Sequence, residues 1–174
     1  MPFWNMDEPL RPGMSGNPVI YVTDVDLDAL GVPTPTDTEL DAIFDTPGAS
    51  LKTWNREKDD AGKVKKINDP HWLCVKKGIK MHIDTGFPRY SHQLKVRVDP
   101  ATYVRGVDGT ETMLRRGMFY ILDTHSPHEV LHKAKDSRWN VTASIDHNIV
   151  LNAESTIKRL IEYAKTTSIM DGRP

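Results

Sequence analysis

From residue 71 onward, short runs of β-branched and aromatic residues alternate with clusters of turn-forming residues. Such runs, with Gly, Pro, Asn or Asp between them, are typical of β-strands joined by tight turns. Several short strands at this spacing indicate a β-sandwich or a β-barrel. The pattern predicts strands over His71 to Lys76, Ile79 to Asp84, Ser91 to Val98, Met118 to Asp123, Glu129 to His132 and Trp139 to Ile145.

One of these strands has a clear period of two. Successive side chains of a strand point to opposite faces of the sheet, so the alternation separates an apolar face from a polar face. If the strand lies in a barrel with a ligand cavity, the polar face can line that cavity. The polar set is Gln93, Lys95 and Arg97, and the apolar set is Leu94, Val96 and Val98.

Two helices are predicted outside the β region. Thr36 and Glu39 have the spacing of a capping box at the start of a short helix. Asn152 is a suitable N-cap for a closing helix with an apolar stripe. The chain thus divides into an extended lead-in (1–18), an N-terminal region with a short helix and a polar loop (19–70), a β core (71–150) and a C-terminal helix (152–167).

Length and composition narrow the class of protein. A chain of 174 residues is expected to form a single domain. The formal net charge of −1 gives no reason to expect a nucleic-acid or anionic-membrane partner, and favours a small-molecule partner. The single cysteine, Cys74, excludes an intramolecular disulfide and fits a reducing compartment. With no apolar run long enough for a membrane span and no signal-peptide pattern, the expected location is the cytoplasm.

Candidate metal ligands lie within the β core. His82 and Asp84 are two residues apart on a predicted strand, so both side chains can reach one metal ion from the same face. His128 follows a Ser-Pro turn and can complete a 2-His-1-carboxylate iron site. His125, three residues earlier, is the alternative third ligand or a substrate contact. Arg138 can bind a carboxylate in a bidentate fork, and Ser144 on the same strand can add a hydroxyl donor.

The region from residue 79 to residue 146 resembles the 2-oxoglutarate- and Fe(II)-dependent oxygenases. More narrowly, it resembles the aspartyl/asparaginyl β-hydroxylases and the free-proline hydroxylases. The resemblance rests on the His82-x-Asp84 pair, on the Gly-turn and aromatic strand over 116–123 that leads into His128, and on Arg138. It implies a double-stranded β-helix, which is a jelly roll of the cupin type, with Fe(II), O2 and 2-oxoglutarate as cofactor and co-substrates.

The resemblance also implies individual roles. His82, Asp84 and His128 would be the iron ligands, and Arg138 would bind the distal carboxylate of 2-oxoglutarate. His92 is the expected contact to the other carboxylate. Because Asp84 is present, the resemblance favours hydroxylation of a C–H bond, coupled to decarboxylation of 2-oxoglutarate to succinate and CO2.

The expected substrate is a free amino acid or a small amino-acid derivative. Arg89, Lys95 and Arg97 are candidates for holding its carboxylate, and Trp54 either covers the pocket or anchors its loop to the core. An Asp or Asn side chain in a peptide or protein is the alternative substrate. Two other classes stay open: a non-catalytic cupin-like binding protein, and a metal-dependent isomerase or dioxygenase that has no need of Arg138. The sequence predicts no oligomeric state.

Overall fold

The computed structural model describes residues 2–44, 49–54, 60–62, 69–148, 152–167 and 169. These residues form a mainly β structure with few helices, as the sequence pattern predicts. The strands are β1 (Val19–Asp24), β2 (Leu51–Trp54), β3 (His71–Lys76), β4 (Ile79–His82), β5 (Tyr90–Val98), β6 (Thr102–Gly106), β7 (Glu111–Met113), β8 (Met118–Asp123), β9 (His128–His132) and β10 (Trp139–His147). The helices are α1 (Asp37–Ala42) and α2 (Ala153–Thr166).

The strands form two antiparallel sheets. The six-stranded sheet has the order β1-β8-β5-β10-β3-β2, and the four-stranded sheet has the order β4-β9-β6-β7. The pairs β3–β10, β4–β9, β5–β8 and β6–β7 are nested within one another along the chain. This arrangement is compatible with a β-sandwich or a jelly roll.

The six-stranded sheet is covered on both faces. On one face its apolar side chains, such as Leu94, Ile121 and Ala143, pack in one buried cluster with Leu40 of α1 and Leu160 of α2. The opposite face turns toward the four-stranded sheet. Tyr120 of β8 there shares a second cluster with Val104 of β6. Because successive strand residues alternate in direction, the same strands supply both faces.

A β-bulge in β5 changes which face its last residues occupy. Lys95 is paired with Thr142 of β10, but Arg97 is paired with Val141, so one extra residue of β5 lies between the two pairs. A bulge reverses the alternation beyond it. Val98 therefore packs with the second cluster, whereas Leu94 packs with the helices. The prediction that Val98 shares a face with Leu94, and that Arg97 shares one with Lys95, was wrong for this reason.

Both predicted helices are confirmed. Thr36 accepts a hydrogen bond from the Glu39 amide at 3.2 Å and completes a capping box at the start of α1. The Asn152 side chain accepts hydrogen bonds from the Glu154 and Ser155 amides at the start of α2. In the part of the chain that the structure describes, no helix is long and apolar enough to cross a lipid bilayer.

The lead-in lies along the free edge of β4. The Trp4 amide donates to the Met81 carbonyl at 3.0 Å, and the Ile83 amide donates to the Pro2 carbonyl at 3.1 Å. Farther along, the lead-in approaches β6 so closely that a Cβ on Gly106 would lie 2.0 Å from the Gly16 carbonyl oxygen. Only glycine fits at such a contact without displacing the backbone. The predicted extended lead-in is therefore ordered by the β core.

The predicted strands after residue 70 are all present, with ends that differ by one or two residues. The sequence did not indicate β2, β6 or β7. β2 lies at the start of the polar loop that was predicted within residues 19–70, and residues 55–59 and 63–68 of this loop lie outside the described residues. These three strands are short, and β2 and β7 lie at sheet edges, where partial exposure weakens the hydrophobic alternation.

His92 lies on the helix-covered face of β5. Its Nδ1 atom is 3.3 Å from Thr156 Oγ1 of α2, and its ring centroid is 4.7 Å from that of His147. Burial lowers the pKa of His92 to about 4, and the charge of His147 acts in the same direction. The folded state therefore favours a neutral imidazole at this position.

We expect the free energy of unfolding to decrease as the pH falls from about 6.5, the usual His pKa, toward about 4, the folded-state pKa of His92. In this window the unfolded chain binds a proton at His92 that the folded chain excludes. The substitution His92→Leu should make the pH dependence shallower; part of the slope persists, because burial also lowers the pKa of His147.

Urea unfolding between pH 7 and pH 4 tests this expectation. His125→Leu is the control, since it makes the same replacement at an exposed position. An unchanged slope in His92→Leu would contradict the assignment.

Candidate metal centre and cavity

His82, Asp84 and His128 meet at one end of the four-stranded sheet. His82 ends β4 and His128 begins β9, and the two residues are direct partners in the antiparallel register. The Asp84 carboxylate lies between the rings, with Oδ1 3.6 Å from His82 Nε2 and Oδ2 3.4 Å from His128 Nε2. One potential ligand atom from each residue lies within 4.8 Å of the others. This group can hold a metal ion.

Backbone carbonyls fix the orientation of both imidazoles. His82 Nδ1 donates to the Lys80 carbonyl at 2.6 Å, and His128 Nδ1 donates to the Ser126 carbonyl at 2.8 Å. Because Nδ1 must carry the proton in each ring, the lone pair of the neutral ring lies on Nε2, which faces Asp84. Metal-binding histidines are typically held in this way.

The protonation states also suit a cation. Burial lowers the pKa of His82, and the charge of His128 lowers it further. Burial acts to raise the pKa of Asp84. When protonated, His128 outweighs this through a hydrogen bond and its charge, and protonated His82 through its charge, so the pKa of Asp84 lies below its usual value. A neutral imidazole and an ionised carboxylate are the forms that ligate metal ions.

His82, Asp84 and His128 together form the metal group. This group borders a cavity of about 190 Å³ between the two sheets. Its apolar lining comes from both sheets. Its polar lining comes mainly from the inner face of the six-stranded sheet. The lining residues from described strands and turns include Leu73, Val75, Ile79, Val104, Tyr120, Leu122 and Val130, together with His71, Ser91, Gln93, Lys95, Thr124, Asn140, Ser144 and Asp146.

Lys95 is a basic side chain that lines this cavity. Its side chain is almost fully buried, and Nζ donates to Thr142 Oγ1 at 2.8 Å and to Gln93 Oε1 at 3.1 Å. The ammonium also lies 5.1 Å from the ring centroid of Tyr120. Burial lowers its pKa to about 7. Among the described residues, no carboxylate forms a salt bridge with it.

A directed chain of hydrogen bonds extends from Lys95 along the cavity wall. Gln93 Oε1 accepts from both Lys95 and Tyr120, and Gln93 Nε2 donates to Ser91 Oγ at 3.2 Å. Ser91 Oγ donates to Asp146 Oδ1 at 3.1 Å. Ser144 Oγ, 3.0 Å from Ser91 Oγ, must then be the donor to it. Every proton of this chain has a fixed direction, so the wall is preorganised.

Arg138 does not reach the cavity. It precedes β10, and its guanidinium pairs with Asp41 of α1 at 2.9 Å and lies over the Trp139 ring. The amides of Arg138 and Trp139 both donate to Asp99 Oδ2, which fixes the chain before the strand begins. The period-two alternation of β10 therefore does not extend to Arg138, and the expected position in the cavity is not observed.

Four other predicted site residues also lie elsewhere. His92 and Trp54 point to the face that packs against the helices. Arg97 is on that side because of the bulge, and it pairs with Asp37 and Asp99. Arg89 pairs with Asp123 outside the cavity. His92 and Trp54 therefore belong to the helix-covered core, and the two arginines form ion pairs.

The structure does bring together the predicted triad, Ser144 and Lys95. His125, the alternative third ligand, is exposed, and its Nε2 lies 3.2 Å from the Phe87 carbonyl oxygen. Sequence reasoning missed Ser91 and Asp146 as cavity residues, although alternation with Gln93 and Ser144 could have indicated both. Sequence reasoning also missed Tyr120 as a cavity residue, and the signal that could have found it is its hydroxyl, which needs a partner when buried.

We expect the protein to bind one divalent transition-metal ion at this group. His128→Ala removes a ligand, so its affinity loss should exceed the roughly 10- to 100-fold that follows removal of a group that only orients a ligand. Calorimetric titration with Co(II) or Mn(II) measures it. His125→Ala is the matched control and should bind as the unmodified protein does; equal losses in both variants would argue against the His82, Asp84 and His128 assignment.

Comparison with protein-family models finds no match to this sequence, and comparison with curated proteins finds none either. A functional proposal for this chain therefore depends on the chemistry of the metal group and of the cavity that it borders.

Proposed function

We propose that this protein is a non-haem Fe(II)- and 2-oxoglutarate-dependent dioxygenase. In this proposal it hydroxylates a C–H bond of a free amino acid or a small amino-acid derivative. The observation that carries the proposal is the buried Lys95 ammonium in the same cavity as the His82, Asp84 and His128 group. A buried cation is costly unless it is paired, so this site favours a ligand that brings a carboxylate.

The topology supports the proposal at the level of the fold. Strands β3 to β10 form four nested antiparallel pairs that are distributed over two sheets. This connectivity supports the proposed double-stranded β-helix of the jelly-roll type. Fold does not determine function, so the proposal depends on the residues of the site.

The donor set fits iron. Two imidazole nitrogens and one carboxylate on one side of an ion leave three positions of an octahedron open, which is typical of Fe(II) oxygenases. When bound, the iron would supply the activation of O2. The balanced reaction consumes one O2, one 2-oxoglutarate and one substrate C–H bond, and yields succinate, CO2 and the corresponding alcohol.

Lys95 takes the role that was expected of Arg138. Its two hydrogen bonds, to Gln93 and to Thr142, leave one N–H of the ammonium for the distal carboxylate of 2-oxoglutarate. The Asn140 side chain lines the same cavity and can contribute an amide N–H. A carboxylate beside Lys95 would also stabilise the charged form of an amine whose pKa burial lowers to about 7.

The cavity favours small ligands. Its volume of about 190 Å³ lies below the range of about 300–1,000 Å³ that is common for ligand pockets. Apolar side chains of both sheets, such as Val104 and Leu122, exclude water from the space beside the polar wall. A free amino acid is therefore favoured over an Asp or Asn side chain in a folded protein.

We expect 2-oxoglutarate to bind only when metal is present and Lys95 is intact. Lys95→Met should weaken its binding roughly 10- to 100-fold, since a hydrogen bond to a charged group contributes about 1.5–3 kcal/mol. Arg138→Ala is the control, because that guanidinium pairs with Asp41 outside the cavity. Anaerobic thermal shifts with Mn(II) measure both, as a ligand at one hundred times its Kd stabilises by about 2.7 kcal/mol.

The opposite pattern, in which Arg138→Ala abolishes 2-oxoglutarate binding and Lys95→Met retains it, would contradict the assignment of Lys95 as the carboxylate-binding residue. Metal binding without any effect of 2-oxoglutarate would favour a metal-dependent isomerase or dioxygenase of another kind. If the first pattern holds, succinate release in the presence of single amino acids identifies the substrate.

A further inference from the structure

Two of the three metal-group residues, Asp84 and His128, donate hydrogen bonds to the backbone of one short turn. The turn comprises residues 123–126, between β8 and β9, and is called here the 123–126 turn. The Thr124 carbonyl accepts the Asp84 amide at 2.9 Å, and the Ser126 carbonyl accepts His128 Nδ1 at 2.8 Å. The direction of these two carbonyls therefore decides where the Asp84 backbone and the His128 ring lie.

The shape of the 123–126 turn depends on a buried carboxylate. The Asp123 side chain is 4% exposed. Its Oδ1 accepts Arg89 Nε at 3.1 Å and the His125 amide at 3.2 Å. Its Oδ2 accepts Arg89 Nη2 at 3.0 Å and Ser126 Oγ at 3.1 Å. Four donors converge on one carboxylate, two of them from the planar guanidinium in the bidentate geometry that fixes direction best.

The same residues attach the lead-in to the turn. Ser126 Oγ is fully buried and accepts the Ser15 amide at 2.7 Å. Arg89 Nη2, which contacts Asp123, also donates to the Gly13 carbonyl at 2.7 Å. The lead-in in turn pairs with β4, where the Trp4 amide donates to Met81, the residue before His82. The strand that carries His82 and the turn that precedes His128 are thus joined through the lead-in.

We propose that Asp123, with Arg89 and Ser126, positions the metal ligands Asp84 and His128. The three residues touch no ligand atom of the metal group, and act through the carbonyls of the 123–126 turn. Their function is to hold the ligands at a separation and orientation that suit one ion. This proposal rests on the metal site of the proposed function, and does not require that 2-oxoglutarate bind.

The test is Co(II) binding to the 174-residue chain carrying Asp123→Asn. This change keeps the size of the side chain but removes the charge and one acceptor from the convergence of donors. We expect the Kd for Co(II) to rise roughly 10- to 100-fold, as for other groups that orient metal ligands. The visible absorption of bound Co(II), which reports the ligand geometry, should change as well.

A matched control exists on β1. Asp24 accepts Arg115 Nε and Nη2, both at 2.8 Å, in the same bidentate geometry as the Asp123 and Arg89 pair, and it contacts no part of the 123–126 turn. Asp24→Asn should leave both the Kd and the Co(II) spectrum as in the unmodified protein. If Asp24→Asn weakens binding as much as Asp123→Asn, loss of an ion pair in general explains the effect and the proposal is overturned.

Ser126→Ala provides a second variant should Asp123→Asn fail to fold. It keeps the carbonyl that holds His128 but removes the hydroxyl that joins Asp123 and Ser15, so the Co(II) spectrum and affinity should change in the same direction. Unmodified affinity and spectrum in a folded Ser126→Ala variant would overturn the proposal. A protein that binds no Co(II) at all would overturn this role together with the metal site, whereas one that binds Co(II) but not 2-oxoglutarate would contradict only the oxygenase proposal.

Discussion

The polar inner face of the six-stranded sheet is the constraint on which the cavity depends. Polar groups in a protein interior are usually hydrogen-bonded, and on this face Lys95, Gln93, Ser91 and Asp146 bond to one another. Gln93 accepts two hydrogen bonds and donates one to Ser91, and Ser91 in turn donates to Asp146. These hydrogen bonds hold the polar side chains against the six-stranded sheet and keep them out of the space between the two sheets. Lys95 is held at its end, with an N–H left for a ligand.

The opposite face of the same sheet supplies the stability that a polar wall cannot. Large apolar side chains from β3, β5, β8 and β10 pack there against both helices in one buried cluster. A sheet with one apolar and one polar buried face needs a cover on each side. The helices cover the first face, and the four-stranded sheet, which carries the metal group, covers the second.

The metal group shows how backbone geometry can determine side-chain chemistry. Both imidazoles are oriented by carbonyls, so their tautomers follow from the path of the chain. The register of β4 against β9 places His82 opposite His128, and the following residues bring Asp84 between them. The lead-in and the 123–126 turn support this geometry from both sides.

The sequence by itself determined the main strands, both helices and the His82 and Asp84 pair, because these depend on local spacing: a period of two, a capping box, and an i, i+2 ligand pair. The meeting of this pair with His128, which the sequence proposed, depends on the register of β4 against β9. Tertiary structure alone decided which cation enters the cavity. One extra residue in β5 turns Arg97 away after Lys95, and the Asp99 contacts keep Arg138 outside β10. Bulges and strand ends depend on the partner strand, so spacing along one chain does not reveal them.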